Sequence, residues 1–415
     1  MTPPSLLLVG GAGPAPLGID IAVMAIEQAR ARGLAVHIIG HAEDLAATRD
    51  AVDLAYSAEA VDFEDSEAAV AWALDRSRRD EGFDVVFTCR ELALPATARI
   101  AQALGLPGNS PQVIDLIRSK ADCRRRLADE GFRQPASHHC TSADQARRVL
   151  EGLPGPWVVK PRTGSGSEGV SLVQSPTGLL RALGHLPSES SQDFLVESYV
   201  SGAEYSVEGL FRGGEPHILA ITAKEKLPPP FFVEQAHTLP APLSPPLRRR
   251  IEETVTEALR VLGLRHGLFH TELWVTDDGI VLGEFHARLG GDYIHRLLAH
   301  AIEGLEMFGE VYDDSLGRDT PAAPRHCTRA GATRYFNPPP GRLRDVHGWQ
   351  EAARHPAVLA AELAVAPGEH VAATDESDGR AGALAVGAAD PEQARALAIQ
   401  LTDGVSFDIE HEETP

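Results

Sequence analysis

The sequence predicts an α/β domain, then a smaller α+β unit, then a compact β-rich unit at the C-terminal end. Three observations predict it. Short apolar runs alternate with helical patterns over residues 5 to 120. Beyond residue 120 the apolar runs come in pairs split by turn residues, among them HTELWVTDDGIVLGEFHARLGGD at 270 to 292. Pro338, Pro339 and Pro340 then set off a final stretch that closes with an Asp-capped helix. The expected boundaries are 1–118, 119–330 with a flap subdomain over about 136–199, and 331–415.

The elements follow in order. SLLLVGG reads as a strand, IDIAVMAIEQARARG as a helix ending at Gly33, and LAVHIIG as a strand. The helical stretch 66 to 80 precedes the strand FDVVFTC, and ELALPATARIAQALGLPG is a further helix closed by glycine. Strands spaced by helices form a parallel sheet with crossover connections. From Lys120 the basic helix ADCRRRLADEGF leads to Gln134-Pro135, and His138-His139 reads as loop surface. PWVVKPRTGSGSEGVSLV is two strands joined by a glycine-rich loop. DFLVESYV and AEYSVEGLF, separated by Ser201-Gly202, read as the next strand pair. A long loop holding Pro228, Pro229, Pro230, Pro240, Pro242, Pro245 and Pro246 precedes the helix LRRRIEETVTEALRVLG. EHVAATDESDGRAGALAVGA and the helix PEQARALAIQL complete the chain.

At 415 residues, with 43% apolar and 23% charged residues, the composition is that of a globular protein of two or three domains. A formal charge of −21 argues against nucleic acid or an anionic membrane as partner, since phosphate-rich surfaces need clustered Lys and Arg. Small-molecule chemistry is the better expectation. Cys89, Cys123, Cys140 and Cys327 have neither CxxC nor Cys/His spacing and read as reduced thiols. The N-terminus has no basic start, and no apolar stretch reaches the roughly 18 residues of a membrane span, so a cytoplasmic location is expected.

The segment 270 to 292 reads as a hairpin with the three-residue loop Asp277-Asp278-Gly279. Centred on Asp278, it sets Glu272 across from Glu284 and His270 across from His286, with opposed Cβ atoms about 5 Å apart. Like charges so placed repel unless a cation sits between them, and oxygen ligands of this kind favour a hard ion such as Mg²⁺. The plain alternative is an exposed hairpin edge. The loop Gly164-Ser165-Gly166-Ser167-Glu168-Gly169 satisfies GxGxxG, yet a strand rather than a helix follows it, which excludes a dinucleotide fingerprint. Strand, glycine loop and strand make a flap whose N–H groups can fold over phosphates, with Lys160 at its entrance to neutralise them. Lys120 is a second candidate, although by itself it reads as a solvated lysine. No GxxxxGK[ST] motif exists, so the nucleotide must be held otherwise: the hinge Glu197-Ser198-Tyr199-Val200 can bond an adenine edge, and Glu204 can reach ribose hydroxyls.

Together these residues resemble the ATP-grasp superfamily of carboxylate–amine ligases: Lys120, VVKPRTGSGSEGVSLV with Lys160, LVESYVSGAEYSVEG, and TELWVTDDGIVLGEFHARLGGD with Glu272, Glu284 and Arg288. LGLPGNSP, ITAKEKLPPPFFVEQAHTLPAP and the C-terminal PGEHVAATDESDGRAGALAVGAADPEQARALA are most similar to the L-amino-acid ligases that make dipeptides. The resemblance implies an ATP-grasp fold with a Rossmann-like pre-ATP-grasp domain before it and a biotin-carboxylase-C-like domain after it. It implies ATP and Mg²⁺, with Mn²⁺ as a substitute, held by Glu272, Glu284 and a third ligand. That third position is usually Asn; here it is His286, and a neutral imidazole prefers softer ions. His286 then bonds a phosphate or the substrate, or pairs with His270 in a transition-metal site.

The resemblance also implies ATP contacts from Lys120, Lys160, Ser165, Gly166, Ser167, Glu197, Ser198, Tyr199, Val200 and Glu204. Arg288, Gly290 and Gly291 meet the substrate carboxylate and acyl phosphate, Lys224 lies near the transferred phosphate, Glu234 takes an α-ammonium, and His237 helps deprotonate the incoming amine. The implied reaction activates an amino-acid carboxylate as an acyl phosphate and joins it to an amine. Partners are then small amino acids or amines, with a homodimer left open. Arg90 and Glu91 are candidates for side-chain selectivity. A carboxylase using bicarbonate and a non-enzymatic nucleotide sensor are the rival readings.

Overall fold

The computed structural model describes residues 3–79, 82–164, 166–318 and 326–410. Strands β1 (Ser5–Val9), β2 (Ala35–Gly40), β3 (Ser57–Ala60) and β4 (Val85–Phe87) pair in parallel in the order β3-β2-β1-β4. β1 is buried along its length. A strand covered on both faces must be, which is why its sequence is a continuous apolar run. The helix Ser66–Arg78 opens on Asp65, whose carboxylate accepts from the N–H groups of Glu67 and Ala68, and Leu94–Leu104 closes on Gly105 at φ 68°. β3 is an addition to the expected elements. SAEA has no apolar run, and an unburied edge strand needs none.

Strands β5 (Ser137–Cys140), β6 (Trp157–Pro161), β7 (Ser171–Val173) and β8 (Phe194–Ser198) form a second, antiparallel sheet, ordered β5-β8-β6-β7. Trp157, Val159, Phe194 and Val196 pack against residues of the helices Ala143–Gly152 and Leu179–His185. His138 and His139, expected in a loop, lie on β5; both are exposed because β5 is an edge strand.

The remaining strands are β9 (Ala203–Arg212), β10 (Glu215–Lys226), β11 (Glu234–Leu239), β12 (Leu268–Thr276), β13 (Gly279–His286), β14 (Ala330–Tyr335), β15 (Gly341–His347), β16 (Val358–Leu363), β17 (His370–Val371), β18 (Gly382–Ala388) and β19 (Ser406–Glu410). Eight of them make one sheet, ordered β13-β12-β9-β10-β11-β14-β18-β16, while β17, β15 and β19 form a small separate one. β9 and β10 join through Gly213-Gly214, both at positive φ (56° and 85°), as a two-residue hairpin turn of matching twist requires.

Three expectations need correction. DFLVESYV and AEYSVEGLF are not a strand pair: β8 belongs to the small sheet and β9 to the large one. The chain changes sheets at Tyr199–Gly202, and a strand-turn-strand pattern cannot tell a hinge from a hairpin. The proline-rich loop contains β11, a central strand between β10 and β14. Its Glu, His and Thr read as loop residues because a central strand is normally apolar, but part of this strand faces a charged cleft. Finally, the expected boundary at 330/331 falls inside β14, and β14, β18 and β16 extend the central sheet.

One core unites the chain's first and later parts. The helix Pro16–Ala31 packs with residues of Ile294–Ala301 and Met307–Ser315. Gln28 Oε1 accepts from the N–H groups of Phe308 and Gly309 at 3.0 Å, and Asp20 Oδ2 meets His295 Nε2 at 2.7 Å and Arg296 Nε at 2.8 Å. The N-terminal sheet is thereby fixed against the segment following β13. No described helix is long and apolar enough to cross a membrane. Phe269 on β12 is fully buried beside Phe211, ring centroids 5.3 Å apart, beneath the hairpin. Phe269→Ala should therefore cost about 3–5 kcal/mol, read as a lower urea midpoint; an unchanged midpoint would contradict this packing.

Candidate active site

The hairpin reaches its arrangement by a different route from the expected one. Its loop is the two residues Asp277-Asp278, with Thr276 paired to Gly279 and Leu273 to Leu282. Continued unbroken, that register would set Glu272 opposite Gly283 and turn Glu284 to the other face. The register shifts by one at Glu272, after which Thr271 pairs with Phe285 and His270 with His286. The bulge turns Glu284 into the same cleft as Glu272. It needs Gly283, because a Cβ there would lie 2.7 Å from the Glu272 carbonyl oxygen.

The cleft is a cavity of about 640 Å³ between the small antiparallel sheet and the large one. Lys120, Lys160, Gly166, Ser167, Glu197, Ser198, Tyr199, Val200, Glu204, Lys224, Glu234, His237, Glu272, Glu284, His286, Arg288, Gly290 and Gly291 all line it. Ser165 lies outside the described residues.

At one end, Lys160 Nζ stands 3.0 Å from Glu284 Oε1 and 3.0 Å from Glu197 Oε2, while Lys120 Nζ lies 3.4 Å from Glu284 Oε2 and 2.7 Å from the Gly164 carbonyl oxygen in the flap. Lys120 thus lines the cleft, largely buried, and does not stand in solvent. Burial pushes the Glu284 carboxyl up, but Lys120 and Lys160 outweigh it and hold the group well below its usual range; Glu272 works against them. Glu197 is buried against Lys160 and Arg124, whose Nη2 donates to Oε2 at 3.1 Å. Its side chain positions Lys160 at 3.0 Å. Ser198 and Tyr199 already donate their N–H groups to Ala136 and Pro156.

Further along, Lys224 Nζ is buried among three acids: Glu272 Oε1 at 2.6 Å, Glu234 Oε1 at 3.1 Å and Glu204 Oε1 at 3.3 Å. Burial opposes its charge, and the acids, Glu272 foremost, raise its pKa well above normal. Lys226, close to it in sequence, meets only Glu204 of these acids, at 2.6 Å. His270 is also held, with Nδ1 2.9 Å from Glu208 Oε2 and Nε2 3.4 Å from Glu272 Oε1. Burial lowers its pKa, but Glu208 prevails and raises it to about 9. Both ring nitrogens of His270 therefore face carboxylates, Nδ1 the buried Glu208 and Nε2 Glu272.

Among the described residues no group of three or more His, Cys, Asp or Glu is arranged to hold a metal ion. His286 has Nδ1 3.2 Å from Glu91 Oε2 and Nε2 3.8 Å from Glu284 Oε2. The hard oxygen donors Glu272 and Glu284, sharing one cleft with two lysines suited to phosphate, fit a Mg²⁺ that takes its other ligands from nucleotide phosphates and water.

Several residues around the cleft carried no sequence signal, and one was read for a different role. Glu91, expected to bear on side-chain selectivity, accepts from Arg288 Nε at 2.8 Å and so orients that guanidinium. Arg124 anchors Glu197 from the basic helix that opens at Lys120. Asp292, Tyr335, Ser377 and Arg380 gather around His237 and Glu234, although they are far apart in sequence. Glu234 and His237 lie on strand β11, where His237 is only 1% exposed and is not a loop residue.

Two antiparallel sheets thus close on a cavity of paired lysines and carboxylates. Residues 153–296 match the family model described as ATP-grasp domain, 26–108 the ATP-grasp N-terminal domain, and 334–410 the L-amino acid ligase C-terminal domain 2. The chain belongs to the ATP-grasp ligases. It is 29% identical over 340 residues to the protein y4rH of Sinorhizobium fredii, covering 80% of this chain and 70% of that one. It is 28% identical over 221 residues to carnosine synthase 1 of Gallus gallus, covering 48% of this chain but 23% of that enzyme's length. The crystal structure of the L-amino acid ligase from Bacillus licheniformis superposes with a TM-score of 0.82 at 25% identity, covering 99% of this chain and 100% of that one.

Burial pushes the Glu91 carboxyl up, but His286, Arg288 and Arg118 hold it down at about 2, against an ordinary 4.5. A carboxyl lowered on folding contributes stability that is complete above the unfolded value and is lost as pH falls through the folded one. Glu91→Gln should therefore flatten the loss of stability between about pH 4.5 and 2 in an acid titration followed by circular dichroism. A superimposable acid limb would deny Glu91 its ion pairs.

Proposed function

We propose that this protein is an ATP-dependent acid–amine ligase. It activates an amino-acid carboxylate as an acyl phosphate and joins the acyl group to an amine, releasing ADP and phosphate. The single observation that carries the reading is the register shift at Glu272, which brings two half-buried carboxylates to one face of a cleft already furnished with lysines for phosphate. The names of its relatives, an L-amino acid ligase and a carnosine synthase, support an amino-acid substrate.

In this reading the backbone at Val200 and its neighbours Ser198 and Tyr199 meets the adenine, and Glu204, whose Oε2 already accepts from Trp274 at 2.8 Å, is oriented toward ribose hydroxyls. The N–H groups of the flap around Ser165, Gly166 and Ser167, with Lys120 and Lys160, cradle the phosphates. Glu272 and Glu284, with His286 beside them, would hold Mg²⁺ or Mn²⁺, which supplies charge neutralisation during phosphoryl transfer. Arg288, held by Glu91, takes the carboxylate under activation, and the small Gly290 and Gly291 let the acyl group approach the backbone. Lys224 offsets charge between the phosphate and amino-acid ends. Glu234 takes an ammonium and His237 accepts a proton from the attacking amine. A flap that excludes water protects the acyl phosphate from hydrolysis. The location that suits these substrates is the cytoplasm.

Incubation with ATP, Mg²⁺ and pooled amino acids should release ADP and phosphate in step with a condensed amide detected by mass. EDTA should abolish turnover, and Glu284→Gln should lower ADP release by on the order of 10²-fold. A carboxylated product would indicate a carboxylase, and no ADP under any condition would reject the ligase.

A further inference from the structure

Asp292 occupies an unusual position. It and Tyr293 are consecutive non-glycine residues at positive φ (57° and 60°), a conformation unfavourable for L-residues and kept only where the surroundings demand it. Three groups from separate parts of the chain converge on its carboxylate. His237 Nε2 on β11 lies 2.7 Å from Oδ2; the Tyr335 hydroxyl on β14 donates to Oδ1 at 2.5 Å, and Arg380 Nη2 donates to Oδ1 at 3.0 Å. Arg380 also stacks on the Tyr335 ring, 3.6 Å from its centroid. Burial pushes the Asp292 carboxyl up, but Arg380 and His237 outweigh it and keep it an anion. An anion there can only accept, so in the neutral ring His237 Nε2 carries the proton and Nδ1 the lone pair. That Nδ1 is buried and has no hydrogen-bond partner, while the residue lines the cavity beside Glu234.

We infer that Asp292 is a positioning residue for aminolysis: it fixes the His237 tautomer so that Nδ1 takes the proton of the incoming amine, with Tyr335 and Arg380 holding Asp292 in place. The inference rests on the ligase reading and goes beyond it. The ammonium of the acceptor gives one proton to Nδ1, and its freed lone pair forms the C–N bond to the acyl carbon. The C–O bond to phosphate breaks, phosphate leaves with the bonding pair, and the second N–H proton goes to the phosphate. Other charged or polar groups facing His237 are Lys224 across β10, Thr333 across β14, and Glu208 on β9. Thr333 Oγ1 is likewise buried without a partner. A water between it and Nδ1 is the competing arrangement, in which the dyad would be merely structural.

The test separates the two halves of the reaction. Hydroxylamine, largely unprotonated at neutral pH, needs no base to trap an acyl phosphate, whereas an amino-acid acceptor does. Asp292→Asn should leave ATP-dependent hydroxamate formation unchanged and lower amide formation on the order of 10²-fold. Amide formation in the variant should also rise more steeply with pH than in the wild type. Hydroxamate and amide falling together, or neither falling, would overturn the role. Should Asp292→Asn fail to fold, Tyr335→Phe is expected to lower the amide-to-hydroxamate ratio by a smaller factor, and an unchanged ratio would overturn it. Absence of hydroxamate from the wild type would instead reject the ligase reading, and the inference with it.

Discussion

Five of the carboxylates lining the cleft crowd together, and the structure depends on matching them with cations. Glu204, Glu234, Glu272, Glu284 and Asp292 would repel one another at the separations that Lys224, Lys160, Lys120 and Arg380 make tolerable. Desolvation alone would protonate the acids; the paired cations keep Glu272 and Glu284 ionised. A cleft already balanced in this way accepts a polyanion only with an exchange of partners. When phosphates take the lysines, the acids need a new cation, which is a physical reason for nucleotide and divalent metal to arrive together.

The matching draws on every part of the chain. The N-terminal part sends Glu91 to Arg288, the small sheet sends Lys160, the central sheet supplies Lys224 and the acids, and the C-terminal part adds Arg380. The glycine flap is tied in as well: the Ser377 N–H donates to the Gly166 carbonyl oxygen, and Ser377 Oγ to Glu234 at 3.4 Å. One short C-terminal segment therefore touches both the flap and the part of the cleft around Glu234. Contacts of this kind explain why residues from 330 onward continue the central sheet instead of standing apart.

Legibility differed by the kind of signal. Parallel strands β1, β2 and β4 announced themselves as apolar runs between helical periods, and their helices carried Asp and Gly caps. β3 and β11 did not, one because an edge strand needs no apolar pattern, the other because its polar face meets a charged cleft. The hairpin's pairing of His270 with His286 was read correctly from a loop of the wrong length, since a bulge at Glu272 makes up the missing residue. Glu197 reads as a hinge residue, yet its carboxylate is enclosed by Arg124 and Lys160.

Local chemistry on the chain itself determined the fold class, the glycine flap and the residue types able to meet phosphate, because period, turn residues and charge are properties of neighbours in sequence. Tertiary structure alone decided which acid faces which lysine and that Asp292, Tyr335 and Arg380 converge on His237. The contacts on Asp292 join residues 43 to 88 positions apart, and Lys160 meets Glu284 across 124, brought together by packing two sheets across a cleft; no local pattern encodes a distance closed only when the sheets meet.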